Sequence, residues 1–125
     1  MKLRNLFLIH SLIALLYSLG LLLIPQTMLF LYGITTTAGD RLLAQFFGVQ
    51  LLTSGLVTLL ARDESASSTR NAITLSILIS SAVGLIVSIG GTLAGTMNVL
   101  GWSAVVIYGF FAIAFAFFQF IGPAE

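Results

Sequence analysis

Four runs of about twenty apolar residues, each bounded by polar or turn-forming residues, set the pattern of this chain: about 6–24, 42–61, 72–91 and 100–121. A helix rises about 1.5 Å per residue, so a run of this length covers the roughly 30 Å hydrocarbon core of a bilayer. Each run therefore predicts one membrane-crossing helix. Pro25 must end or bend the first, because it lacks a backbone donor and its ring clashes with the preceding turn. With Pro25 at a first helical position and Gly33 just past an end, residues 25–32 read as a short helix. Met28, Leu29, Phe30, Leu31 and Tyr32 are too apolar for a free loop. That places the short helix in the outer interface, or makes it a kinked continuation of the first span.

Polar residues 35–39 then lead to Asp40, whose carboxylate is placed to cap the open amides of span two. Arg62 lies where a cation favours the last carbonyls of the same helix. Residues 63–71 form the one properly hydrophilic linker, and a glycine-punctuated turn over 90–98 precedes span four, which Gly122 and Pro123 stop. The expected fold is all-α: an integral membrane antiparallel four-helix bundle in a single domain, with a short outer interfacial helix after span one.

Composition agrees with a lipid solvent. The 125 residues are 58% hydrophobic and only 7% charged, against about a quarter charged in soluble domains, and the mean hydropathy is +1.12. A net charge of +1 is too small for a nucleic-acid partner, which needs clustered Lys and Arg to displace phosphate counterions. The absence of cysteine excludes a disulfide framework and thiolate metal sites. The opening Met1-Lys2-Leu3-Arg4 resembles a secretion signal, but the following apolar run is too long for one and lacks a small-residue cleavage site, so it is expected to stay as span one. Lys2, Arg4, Arg62 and Arg70 flank one side of the spans and only Arg41 the other. Cytoplasmic flanks carry the excess of such residues, so both termini are expected in the cytoplasm, with Tyr32 and Trp102 at the outer interface.

The spans carry small residues at helical spacing. Span three has Ser76, Ser80, Gly84 and Ser88, span two Ala44, Gly48 and Gly55, and span four Ala112 and Ala116. Small side chains let helix backbones approach in lipid, so these positions are expected to pack helices, within the bundle or against another subunit. The phenylalanines at 110, 111, 115, 117, 118 and 120 surround span four. Several must therefore face lipid, a partner helix, or an apolar ligand such as a pigment or quinone tail.

Four polar residues stand out inside the spans as candidates for ligand or polar contact: His10, Tyr17, Gln50 and Gln119. His10 is the single histidine. It would serve as one axial ligand of a haem-like ring or as a proton relay, and its plain alternative is a hydrogen-bonded neutral side chain facing the bundle. Gln50 lies near the middle of span two and must find another helix or a bound molecule. Gln119 and His10 share a depth, which makes a contact between them testable. The acids Asp40, Asp63, Glu64 and Glu125 all lie in loops or the tail. No acid pair, catalytic triad, metal site or phosphate-cradling loop can be assembled from this inventory. No catalytic residue and no cofactor is expected.

The order Pro25, then Tyr32-Gly33-Ile34, then Ala44-Gln45-Phe46-Phe47-Gly48, Gly55 and Leu60-Ala61-Arg62, with the later Asn98-Val99-Leu100-Gly101-Trp102, resembles a group of uncharacterised bacterial four-span proteins that are DoxX-like in outline. The resemblance covers most of the chain and implies a four-helix bundle in a bacterial inner membrane, with no catalytic residue carried over. The expected role is a non-catalytic accessory or structural subunit that binds lipids, other membrane-protein subunits, further copies of itself, or a pigment. The alternative is a small transporter or channel for a neutral or apolar molecule, its route lined by Ser76, Ser80, Ser88, Gln50 and Tyr17.

Overall fold

The structure, a computed structural model, describes residues 1–122; Pro123, the expected helix stop, and Glu125 lie outside the described residues. Among the described residues five helices follow one another: α1 (Leu3–Leu23), α2 (Pro25–Leu31), α3 (Ala38–Leu60), α4 (Ser68–Leu93) and α5 (Gly101–Phe120). All but α2 are long and apolar enough to cross a membrane. Their outward faces carry Leu12, Leu16, Ile86, Val87, Val106, Ile113 and Phe120, each more than half exposed. Water would not tolerate so continuous an apolar surface, whereas lipid matches it. The protein is a multi-pass membrane protein.

The helix ends follow local chemistry, and one departs from the sequence expectation. Helix α3 starts at Ala38, four residues before the expected span, because the cap is Thr37 rather than Asp40. The Thr37 hydroxyl accepts the Asp40 N–H at 3.2 Å, and the Asp40 carboxylate accepts the Thr37 N–H at 2.9 Å. Asp40 thus completes a capping box from the third helical position. At the start of α4 the Ser67 hydroxyl accepts the Arg70 N–H at 3.1 Å, which draws the end of the hydrophilic linker into the helix. Arg62 donates to the Leu59 carbonyl at the end of α3. Helices α2 and α4 close alike: Gly33 and Gly95 both take φ +78°, and the next residues, Ile34 and Thr96, donate to Leu29 and Gly91, each at 3.1 Å. This closure needs a left-handed residue that glycine adopts without penalty. Helix α4 therefore runs through Gly90 and Gly91, which the sequence suggested as a turn.

Pairings fix the topology. Along α1, His10, Ser18 and Leu22 meet Thr58, Gly48 and Gln45 in turn, so α1 and α3 are antiparallel. Gly84 and Gly101 abut Tyr108 and Thr92, which sets α4 against α5. Phe7 and His10 meet Phe115 and Phe111 at ring-centroid distances of 6.0 and 5.0 Å, joining the two hairpins through α1 and α5. The helices thus stand in the order α3, α1, α5, α4, with α3 and α4 apart across an open side. The core lies at the end that bears Arg4 and Asp63 and is built from Leu3, Leu6, Phe7, Ile77, Phe111 and Phe115.

At the opposite end, Asn98 fastens the α4–α5 turn to α2. Its N–H donates to the Tyr32 carbonyl at 2.9 Å and its Nδ2 to the Leu31 carbonyl at 3.1 Å, while its Oδ1 accepts the Leu100 N–H at 3.0 Å.

Arg4 Nε donates to Asp63 Oδ1 at 2.6 Å, tying the start of α1 to the segment after α3. That hydrogen bond, helped by the charges of Arg4 and Arg62, holds the Asp63 carboxyl below the usual carboxylate range. A depressed folded-state value means the tether contributes fully above the unfolded value of about pH 4 and is lost as pH falls through the folded one. Both partners are exposed, so the effect is small. In an acid titration of stability, wild type and Asp63→Asn are expected to differ slightly at neutral pH and to converge on acidification; a constant gap would show that the pairing is not the cause.

Candidate functional site

The interior of the bundle is closed by two sets of polar contacts. His10 Nδ1 lies 3.1 Å from Thr58 Oγ1, and the Thr58 hydroxyl reaches the Ser54 and Gly55 carbonyls, each at 3.1 Å. A hydroxyl has one proton. Once it points to the carbonyls, the oxygen is left to accept from Nδ1–H. The imidazole is also edge-on to Phe111 and Phe115, with centroids at 5.0 and 5.9 Å. Towards the opposite end, Tyr17 and Tyr32 share a hydrogen bond of 3.0 Å between hydroxyls, and Tyr32 extends it to Ser103 at 3.4 Å.

The open side is different. Between α3 and α4 runs a groove of about 780 Å³, lined by Ser54 and Val57 on α3 and by α4 from Ser68 and Thr69 through Ala72, Ile73, Ser76 and Ile77 to Ser80. Its length along α4 is about 18 Å at the helical rise, roughly half a bilayer. Ser76 and Ser80 sit there because polar groups in hydrocarbon can be satisfied by their own helix: they donate to the Ala72 and Ile77 carbonyls at 2.7 and 3.1 Å. The hydroxyl oxygens keep lone pairs for a visitor. With Ser54, Ser68 and Thr69 the walls carry five hydroxyls, the other lining residues are aliphatic and none is charged, which suits close helix packing more than a charged ligand.

The small-residue positions divide between these regions. Gly48 lies against α1, where an added Cβ would come within 3.1–3.2 Å of Leu21, Leu22 and the Ser18 carbonyl, and the buried Ser18 hydroxyl donates to the Gly48 carbonyl at 2.9 Å. Gly55 abuts Leu15 and Ala14, and Ala44 is buried on the same face. Gly84 meets the Tyr108 ring. Ser88 is buried and bonds the Leu85 carbonyl. Ala112 and Ala116 are half-buried on α5. The span-three stripe thus splits, because a four-residue step overshoots one turn by about 40°. Over three steps, Ser76 in the groove and Ser88 in the bundle have rotated apart.

The polar candidates do not converge. Gln119 makes no hydrogen bond to His10, whose partner is Thr58; its Oε1 is buried without a hydrogen-bond partner among the described residues. Gln50 is exposed and makes no hydrogen bond among the described residues, so the partner expected for it is not found among them. The groove includes Ser76 and Ser80 but not Ser88, Tyr17 or Gln50, and the five do not line one route. Among the described residues, no three potential metal ligands come together. Sequence reasoning missed Thr58, Ser54 and Val57. The signal for the groove was the spacing of Ser54 and Val57 on α3, and of Ala72, Ser76 and Ser80 on α4, each set on one helix face.

No protein-family description, curated protein or solved structure matches the chain.

Proposed function

We propose that the protein is a non-catalytic accessory subunit of a membrane assembly, binding a transmembrane helix at the open α3–α4 side. The observation that carries this reading is the groove: it lies between α3 and α4, which stand apart, while the space between α1, α3 and α5 is filled by His10, Thr58 and phenylalanine rings. Lipid tails gain nothing from its serine hydroxyls, whereas a helix with small or polar residues would pack against them. The surplus of basic residues at the end bearing Arg4 and Arg62 supports cytoplasmic termini. The order of glycines and aromatics from Pro25 to Trp102 supports kinship with DoxX-like bacterial inner-membrane proteins. These assignments belong to the same proposal.

The test is purification of a tagged copy from native membranes in mild detergent. An associated membrane subunit or a second copy is expected with the wild type. Ser80→Trp fills the groove and is expected to strip that component away, with stability changed by no more than about 0.5 kcal/mol, as for other substitutions outside the core. A protein that always emerges alone and monomeric would defeat the proposal.

A further inference from the structure

Gln50 stands near the middle of α3, twelve residues from Ala38 and ten from Leu60, or about 18 and 15 Å along the axis. The hydrocarbon core is about 15 Å deep on either side of its centre, so the side chain cannot reach either interface. It is exposed, and it makes no hydrogen bond among the described residues. An unsatisfied amide in hydrocarbon is strongly disfavoured, and lipid tails offer neither donor nor acceptor.

The residues around it form a pattern. Leu43, Phe46, Gln50, Thr53, Val57 and Leu60 alternate at spacings of three and four, and all six are exposed; Leu43, Phe46 and Leu60 are 68%, 60% and 78% exposed. This is the spacing of the seam of a two-stranded coiled coil, with a carboxamide at a central position, where a lone polar residue sets register and partner number. From these observations we infer that α3 pairs with α3 of a second copy in parallel, through a reciprocal hydrogen-bonded Gln50 pair. This inference rests on the proposed role in helix binding and names a second copy as the partner, seated on the exposed face of α3 that adjoins the groove at Val57.

Symmetry favours the second copy over a foreign helix. Two copies inserted with the same topology are related by a two-fold axis along the membrane normal, so every residue meets its own counterpart at equal depth. A carboxamide is both donor and acceptor, and Gln50 facing Gln50 satisfies both groups at once.

The chain contains no cysteine, so single cysteines report contact directly. In native membranes under mild oxidation, Thr53→Cys is expected to give a disulfide-linked dimer, and Ile113→Cys on the exposed face of α5 is expected to give none. Adding Gln50→Leu to Thr53→Cys should weaken dimerisation about three- to thirtyfold, given the usual strength of interhelical polar contacts; Gln50→Asn should retain most of it. No dimer at Thr53, equal dimer at Ile113, or no effect of Gln50→Leu overturns the inference. A foreign subunit recovered with a monomer would overturn this pairing and leave the accessory role standing, whereas recovery of nothing at all would remove both.

Discussion

Gly84→Leu is expected to spread the α4–α5 hairpin and destabilise the protein by about 3 kcal/mol, the upper end of the usual cost of overpacking. A Cβ built on Gly84 would lie 2.5, 2.6 and 2.8 Å from Cε1, Cδ1 and Cζ of Tyr108. Those atoms belong to a bulky, half-buried ring, so relief requires the whole Tyr108 side chain to swing out of the hairpin or α5 to move away. In lipid the helices are held by close packing and not by expulsion of water, and a wider separation forfeits contacts along the hairpin. Reversible unfolding in mixed micelles with increasing anionic detergent would measure the loss. The same substitution at Gly90, which has nothing within 4 Å, is expected to be neutral or slightly stabilising, since a helical glycine gives up more backbone freedom than other residues. Equal losses at both positions would show that glycine matters there for some reason other than the Tyr108 contact.

Phe115→Ala is the second large effect. Phe115 is fully buried, and its ring centroid lies 6.0, 6.1 and 5.9 Å from those of Phe7, Phe111 and His10, where the two hairpins meet. In a soluble protein such a truncation costs about 3–5 kcal/mol, combining lost transfer energy with the cavity left behind. Lipid is as apolar as the bundle interior, so the transfer part largely disappears. About 2–3 kcal/mol is expected, carried by lost dispersion contacts. The same detergent titration should show it, with Phe115→Leu recovering more than half and Ile113→Ala, on a lipid-facing position 75% exposed, costing little. If Phe115→Ala and Ile113→Ala behave alike, the aromatic cluster does not hold the hairpins together.

The spans were legible in the sequence because a run of about twenty apolar residues leaves the backbone no partner but itself once it enters lipid. The short helix from Pro25 and its closure at Gly33 were legible for a related reason: each residue has a conformational preference that acts before any tertiary contact. The start of α3 was legible in Thr37 and Asp40, three residues apart, although Asp40 taken alone suggests a later start. Which helices adjoin could not be read, because each span is apolar on every side and its periodicity does not mark an inner face. Arg4 and Asp63, opposite charges at the two mouths of one hairpin, carried a usable signal: counting inward from that pair brings His10 to Thr58. Gln50 was recognisable as a residue in need of a partner. Its outward direction depends on the rotation of α3 against α1, which Gly48 and Gly55 set by the close approach they allow.

Asn98 spends its backbone donor, amide donor and amide acceptor within one small junction. The carbonyls it engages, those of Leu31 and Tyr32, are set in place by the winding of α2 after Pro25, well over sixty residues earlier in the chain. The turn between α4 and α5 therefore leans on a surface that the earlier half of the protein supplies. A short helix without a buried residue of its own thus couples the two halves of the chain, so that a change which unwinds α2 also loosens the far turn.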